Sequence, residues 1–88
     1  MSGDGLTRED VLRKVRDHLS AELEVPVAQI SESTRFREDL DADSLDLYEL
    51  VMELEDTYAI SVSEEEAADI ETVGNAVDFV AGRLGVAA

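Results

Sequence analysis

Apolar residues recur at helical spacing in three stretches of the chain. Val11, Leu12, Val15, Leu19 and Leu23 share one face of a helix over 8–23. Leu47, Leu50, Val51, Leu54 and Tyr58 do so over 44–58. Val73, Val77, Val80 and Leu84 do so over 73–84, with Ala76 and Phe79 beside them. Each start offers an oxygen for the free N–H groups of the first turn: Thr7 with Asp10, Asp43 with Asp46, and Thr72. Ser63 with Glu66 opens a fourth, short helix over 64–70, whose inward residues are Ala67 and Ile70. Glu64, Glu65 and Glu66 suit its positive end. Gly85 is a stop, whereas Gly74 weakens the last helix by about 1 kcal/mol relative to alanine.

Pro26 ends the first helical region, and 25–43 is a long connection. Val27, Ile30, Phe36 and Leu40 are spaced along it as anchors, with a helical turn expected at 37–40. Ile60-Ser61-Val62 alternates like a strand but has no pairing partner. The pattern therefore predicts an all-α fold: a small four-helix bundle of three longer helices and one short third helix. It forms a single domain over 7–85, with a disordered N-terminus at 1–6 and a frayed C-terminus at 86–88.

Composition narrows the function. A chain of 88 residues with a net charge of -15 is a poor ligand for nucleic acid or anionic membranes and a good one for basic protein surfaces. Its seven basic residues all lie outside 38–82, so the acids of that span form a directional face. With no cysteine and a single histidine, His18, thiolate chemistry, disulfides and His/Cys metal sites are excluded, and His18 reads as a surface residue. Asp39, Asp41 and Asp43 begin like a calcium loop, but Ser44 and Leu50 stand where its glycine and glutamate belong, so no metal site is expected. No run spans a membrane and no signal-peptide pattern appears; a cytoplasmic, monomeric, non-catalytic protein is expected.

The informative stretch is 41–55. Leu45, Tyr48 and Met52 form a second apolar stripe displaced from the core face and surrounded by Asp46, Glu49, Glu53, Glu55 and Asp56. Spacing alone fits a docking surface, a second buried face or incidental exposed apolar area. Ser44 falls at the first helical position, and with Asp43 as cap its hydroxyl is free for a phosphoester at the positive helix end. Read locally, helix initiation is the better account of Ser44.

The chain resembles the acyl carrier proteins of dissociated fatty acid synthesis. The likeness lies in Phe36 and Asp39-Leu40 before Ala42-Asp43-Ser44-Leu45-Asp46, then Glu49-Leu50-Val51-Met52, Leu54-Glu55 and Tyr58. It resumes at Glu64-Glu65-Glu66-Ala67 and ends with Thr72-Val73 and Ala76-Val77-Asp78-Phe79-Val80. The resemblance implies covalent 4'-phosphopantetheine on Ser44, flanked by Asp43 and Leu45 and installed from coenzyme A by a phosphopantetheinyl transferase. It implies a shuttle that carries acyl groups as thioesters between enzymes of fatty acid synthesis. Leu45, Asp46, Tyr48, Glu49, Met52, Glu55 and Asp56 would dock on basic patches of ketosynthases, acyltransferases, reductases and dehydratases. Phe36, Leu54, Val62, Ala67 and Ile70 would line a shelter for the acyl chain.

Three positions depart from the family pattern. Asp41 replaces a usual glycine, Tyr48 a smaller aliphatic residue and Ser63 a frequent proline. None removes Ser44. They leave two rivals: a carrier of a polyketide or specialised lipid pathway, and an unmodified acidic protein-interaction domain.

Overall fold

The computed structural model describes residues 6–85, so the expectations for 1–5 and 86–88 lie outside it. Among the described residues four helices follow one another: α1 (Arg8–Leu23), α2 (Ser44–Tyr58), α3 (Glu64–Ala68) and α4 (Val73–Leu84). A single 3-10 turn, Val27–Gln29, interrupts the α1–α2 connection. All four helices start with a capping box, at Thr7/Asp10, Asp43/Asp46, Ser63/Glu66 and Thr72/Asn75. Each cap is worth about 1 kcal/mol, which matters in a chain with so modest a core.

The core is aliphatic apart from Phe36. Val11, Val15 and Leu19 of α1 meet Leu50 and Leu54 of α2 and Val73, Ala76, Val77 and Val80 of α4. Ile30, Phe36 and Ala42 close it from the long connection, and Ile70 from the α3–α4 link. Leu47 and Tyr58 pack only at its edge. Of the four expected loop anchors, Ile30 and Phe36 are buried and Leu40 is half-buried, but Val27 is exposed. The Val27 backbone is what counts: its carbonyl accepts Arg16 Nη2 at 2.9 Å.

The boundaries have local causes, and only the end of α3 differs from the sequence expectation. α1 ends before Pro26, because Glu24 turns left-handed (φ 57°) and returns its N–H to the Ser20 carbonyl. α3 ends at Ala68 rather than at 70: Ile70 donates to the Ala67 carbonyl at 3.1 Å in a tighter turn that drops its side chain into the core. The turn after Phe36 forms, with Asp39 and Leu40 both donating to the Arg35 carbonyl.

The connection is fastened to the start of α4. Val73 N–H donates to the Thr34 carbonyl at 3.0 Å and Gly74 N–H to the Glu32 carbonyl at 2.8 Å, while Phe36 N–H reaches the Glu71 carbonyl at 3.1 Å. An isolated antiparallel bridge, Arg35 with Thr72, is the strand-like pairing among the described residues. Gly74 is therefore not merely a weak helix former, because a Cβ there would lie 3.0 Å from the Glu32 carbonyl oxygen.

α3 is attached differently. None of its five residues is buried. Arg83 of α4 donates to the Glu66 carboxylate and to the Ser61 carbonyl, with its guanidinium 4.7 Å from the centre of the Phe79 ring.

Candidate functional site

Ser44 is placed by the turn before it. Ala42 is buried and donates its N–H to the Phe36 carbonyl at 2.9 Å, and Asp41 reverses the chain with φ 57°. Helix α2 then begins at Ser44. Asp43 Oδ1 accepts the Asp46 N–H at 3.0 Å, and Asp46 Oδ2 accepts the Asp43 N–H at 3.1 Å. Two carboxylates thus complete the cap, and the Ser44 hydroxyl stands exposed beside it. Those N–H groups, the Asp46 one foremost, hold the Asp43 carboxyl below the usual carboxylate range.

One cation reaches this oxygen. Arg37 Nη2 donates to Ser44 Oγ at 3.3 Å. The hydroxyl is exposed, at the positive end of a fifteen-residue helix and beside a guanidinium. Those features fit a phosphodiester on that atom.

The second apolar stripe is exposed. Leu45, Tyr48 and Met52 retain 63%, 62% and 49% of their accessible surface, which removes the buried-face alternative. The acids around it are not equivalent. Glu49 is exposed and its carboxylate lies within 4.8 Å of those of Asp46 and of Glu22 from α1. Contact with the Glu22 carboxylate pushes the Glu49 pKa up, because ionising both groups sets like charges together. Asp56 is exposed as well. Glu55 is half-buried and structural in part: its Oε2 accepts the Val62 N–H at 2.8 Å and holds the α2–α3 link. Glu53 pairs with Lys14 at 3.1 Å. Glu55 and Asp56 also sit near the C-terminal end of α2, where the helix dipole disfavours negative charge and no basic residue offsets it.

A groove of about 490 Å³ opens between α2 and α3. Leu54, Val62, Ala67 and Ile70 line it, joined by Leu47 and Leu50, with Ser44 and Arg37 also on its wall. Phe36 does not line it. Its ring is fully buried, because Phe36 anchors the long connection to the core, and it borders a separate, smaller cleft of about 250 Å³.

Sequence reasoning missed three participants. Arg37 was legible only as the last basic residue before the acidic span. Glu22 and Arg83 come from helices distant in sequence, and no local signal announces them. His18 is half-buried rather than a plain surface residue, and its Nε2 has no hydrogen-bond partner among the described residues. It borders a shallow cleft with Glu49, Met52 and Glu53. No described helix is long and apolar enough to cross a membrane.

Comparison with known proteins gives a consistent picture. Residues 13–80 match the family model described as a phosphopantetheine attachment site. The acyl carrier protein of Rubrobacter xylanophilus is 44% identical over 75 residues, covering 85% of this chain and 93% of that protein. The acyl carrier protein of Lactobacillus acidophilus is 38% identical over 80 residues, covering 91% and 100%. A solved acyl carrier protein from Enterococcus faecalis superposes with a TM-score of 0.76 at 40% identity, covering 88% of this chain and 98% of the other. With a helical fold and so much of its length matched, the chain belongs to the acyl carrier protein family.

Proposed function

We propose that Ser44 carries 4'-phosphopantetheine and that the protein shuttles acyl groups between enzymes of fatty acid synthesis. The observation that carries this reading is the state of the Ser44 hydroxyl. It is exposed at the first position of α2 while Asp43 and Asp46 complete the cap without it. When bound, the group supplies a terminal thiol that holds acyl chains as thioesters, a group that a chain without cysteine does not itself possess.

The chain's own residues supply everything else. Its acidic face draws basic surfaces together and speeds encounter. Leu45, Tyr48 and Met52 give a small apolar contact, and Asp46, Glu49 and Asp56 flank it with charge. Contact of that size releases quickly, as a carrier visiting several enzymes requires. The partners on this reading are a phosphopantetheinyl transferase and the basic patches of ketosynthases, acyltransferases, reductases and dehydratases. The groove walled by Leu54, Val62, Ala67 and Ile70 shelters the acyl chain. The location is the cytoplasm and the carrier is a monomer without catalytic activity of its own.

A carrier for polyketide or specialised lipid synthesis is the second reading. Tyr48 favours it, since its exposed ring enlarges the docking stripe and narrows the set of matching surfaces.

Intact-mass spectrometry tests attachment. The protein and Ser44→Ala are incubated with coenzyme A, magnesium and a broad-specificity phosphopantetheinyl transferase. Loading forms the Oγ–phosphorus bond, breaks the pyrophosphate of coenzyme A, and releases adenosine bisphosphate and the hydroxyl proton. A gain of one phosphopantetheine by the wild type alone supports the carrier. No gain with several transferases leaves an acidic protein-interaction domain in which Ser44 only helps to start a helix.

A further inference from the structure

The chain has seven basic and 22 acidic residues, so a guanidinium without a carboxylate partner is unexpected. Arg8 pairs with Glu32 and Asp78, Arg13 with Asp10, Lys14 with Glu53, Arg35 with Asp39 and Arg83 with Glu66. Arg16 is engaged by the Val27 carbonyl. Among the described residues Arg37 alone pairs with neither a carboxylate nor a carbonyl; its contact is the Ser44 hydroxyl oxygen at 3.3 Å.

We propose that Arg37 is a phosphate-binding residue whose guanidinium holds the phosphodiester on Ser44 from the side facing the α2–α3 groove. This rests on Ser44 being the attachment point. Four considerations support it. The atom Arg37 contacts is the one that becomes the bridging ester oxygen, so the two non-bridging oxygens that share the phosphodiester's single charge lie two bonds away from it. The guanidinium fork suits a phosphate far better than a hydroxyl, since contact with an anion is charge-assisted and can be bidentate. The surroundings are hostile to a new negative charge: Asp41, Asp43 and Asp46 all lie within three residues of Ser44. Arg37 is the cation at hand to offset it. Arg37 and Ser44 also line the same groove, so the guanidinium lies on its side of the ester.

The contact is weak before loading and strong after it. By linkage, loading must then stabilise the fold more when Arg37 is present than when it is absent. A thermodynamic cycle over apo and loaded forms of wild type, Arg37→Gln and Arg37→Lys isolates this coupling. A merely structural Arg37 shifts both forms of a variant equally and cancels. The expected result is that loading changes the Tm of Arg37→Gln less favourably than that of wild type by roughly 2–4 °C. Arg37→Lys should fall between, and about 1 M NaCl should remove the difference. Equal loading shifts in all three proteins overturn the proposal.

A second measurement needs only the wild type, should a variant resist the transferase. In arginine-labelled protein, exchange of the Arg37 Nε–H with water should slow several-fold on loading, and the slowing should vanish in high salt. Unchanged exchange in a sample whose mass shows complete loading overturns the proposal while leaving the carrier reading intact. A wild type that gains no mass removes the carrier reading and this one with it.

Discussion

Gly74 donates its N–H to the Glu32 carbonyl at 2.8 Å, and a Cβ on Gly74 would stand 3.0 Å from that same oxygen. The long connection and α4 approach this closely only because the residue is glycine. Gly82, in the same helix, has open space around its missing Cβ. The two glycines should answer alanine with opposite signs. Gly82→Ala should stabilise by about 0.5–1 kcal/mol through helix propensity. Gly74→Ala should destabilise by about 1–2 kcal/mol, since displacing Glu32 loosens the loop that ends at Ser44. Urea titration of the pair decides; a stabilised Gly74→Ala would mean the loop yields freely.

Glu49→Lys should stabilise the fold and weaken docking at once. The substitution replaces the Glu22–Glu49 repulsion with an attraction between α1 and α2, and reverses a charge beside Tyr48 and Met52. The KM for loading by a phosphopantetheinyl transferase should rise while Tm rises too. A large fall in Tm would place Glu49 in a structural network instead.

Stability should pass through a maximum at about pH 5. Backbone N–H groups hold the Asp43 and Glu66 carboxyls below their ordinary values, and Arg8 does the same for Glu32 and Lys14 for Glu53. A depressed carboxyl contributes fully above its unfolded value, 3.8 for Asp and 4.5 for Glu, and the contribution is lost as pH falls through the folded value. Glu49 has the opposite sign: its repulsion acts above its raised folded value and is relieved as protons bind. The excess of acids is likewise relieved as pH falls from neutrality. Thermal melts by circular dichroism from pH 8 to pH 3 test this; a Tm still climbing at pH 3 would contradict it.

Asp41 and Ala59 both adopt left-handed backbone, with φ 57° and 56°. Ala59→Gly at the end of α2 should stabilise by about 1 kcal/mol, since alanine has no polar group to ease that conformation. Asp41→Gly should gain less from the backbone, because Asp tolerates this region better, but it also removes a charge near Ser44. Denaturant midpoints of the two variants give the order. A loss of stability in Ala59→Gly would show that unfolded-chain entropy outweighs strain.

Arg83→Gln should speed hydrogen exchange at 64–70 well before it lowers the global Tm, because Arg83 fastens α3 rather than the core. Uniform acceleration across all helices would show that α3 opens only with the rest.

The helices were legible because local signals coincided. Each helix begins one residue after a capping Thr, Ser or Asp, and the expected spans of α1, α2 and α4 match those observed. The end of α3 was not legible, since Ile70 leaves the helix to serve a core assembled from elsewhere. Exposure of Tyr48 and Met52 followed from α1 and α4 packing on one side of α2 only, a tertiary fact that spacing leaves open. Arg37 was missed for the same reason: seven residues and a reversed turn separate it from the oxygen it touches.

With five residues, α3 is too short to persist as a helix unaided, and between the flanking anchors at Val62 and Ile70 one surface arginine fastens it. A segment held in this way detaches far more often than the chain unfolds. The groove wall thus has an opening frequency of its own. On the proposed reading that frequency acts as a clock, fixing how long a sheltered acyl chain waits before any enzyme, however tightly docked, can take it.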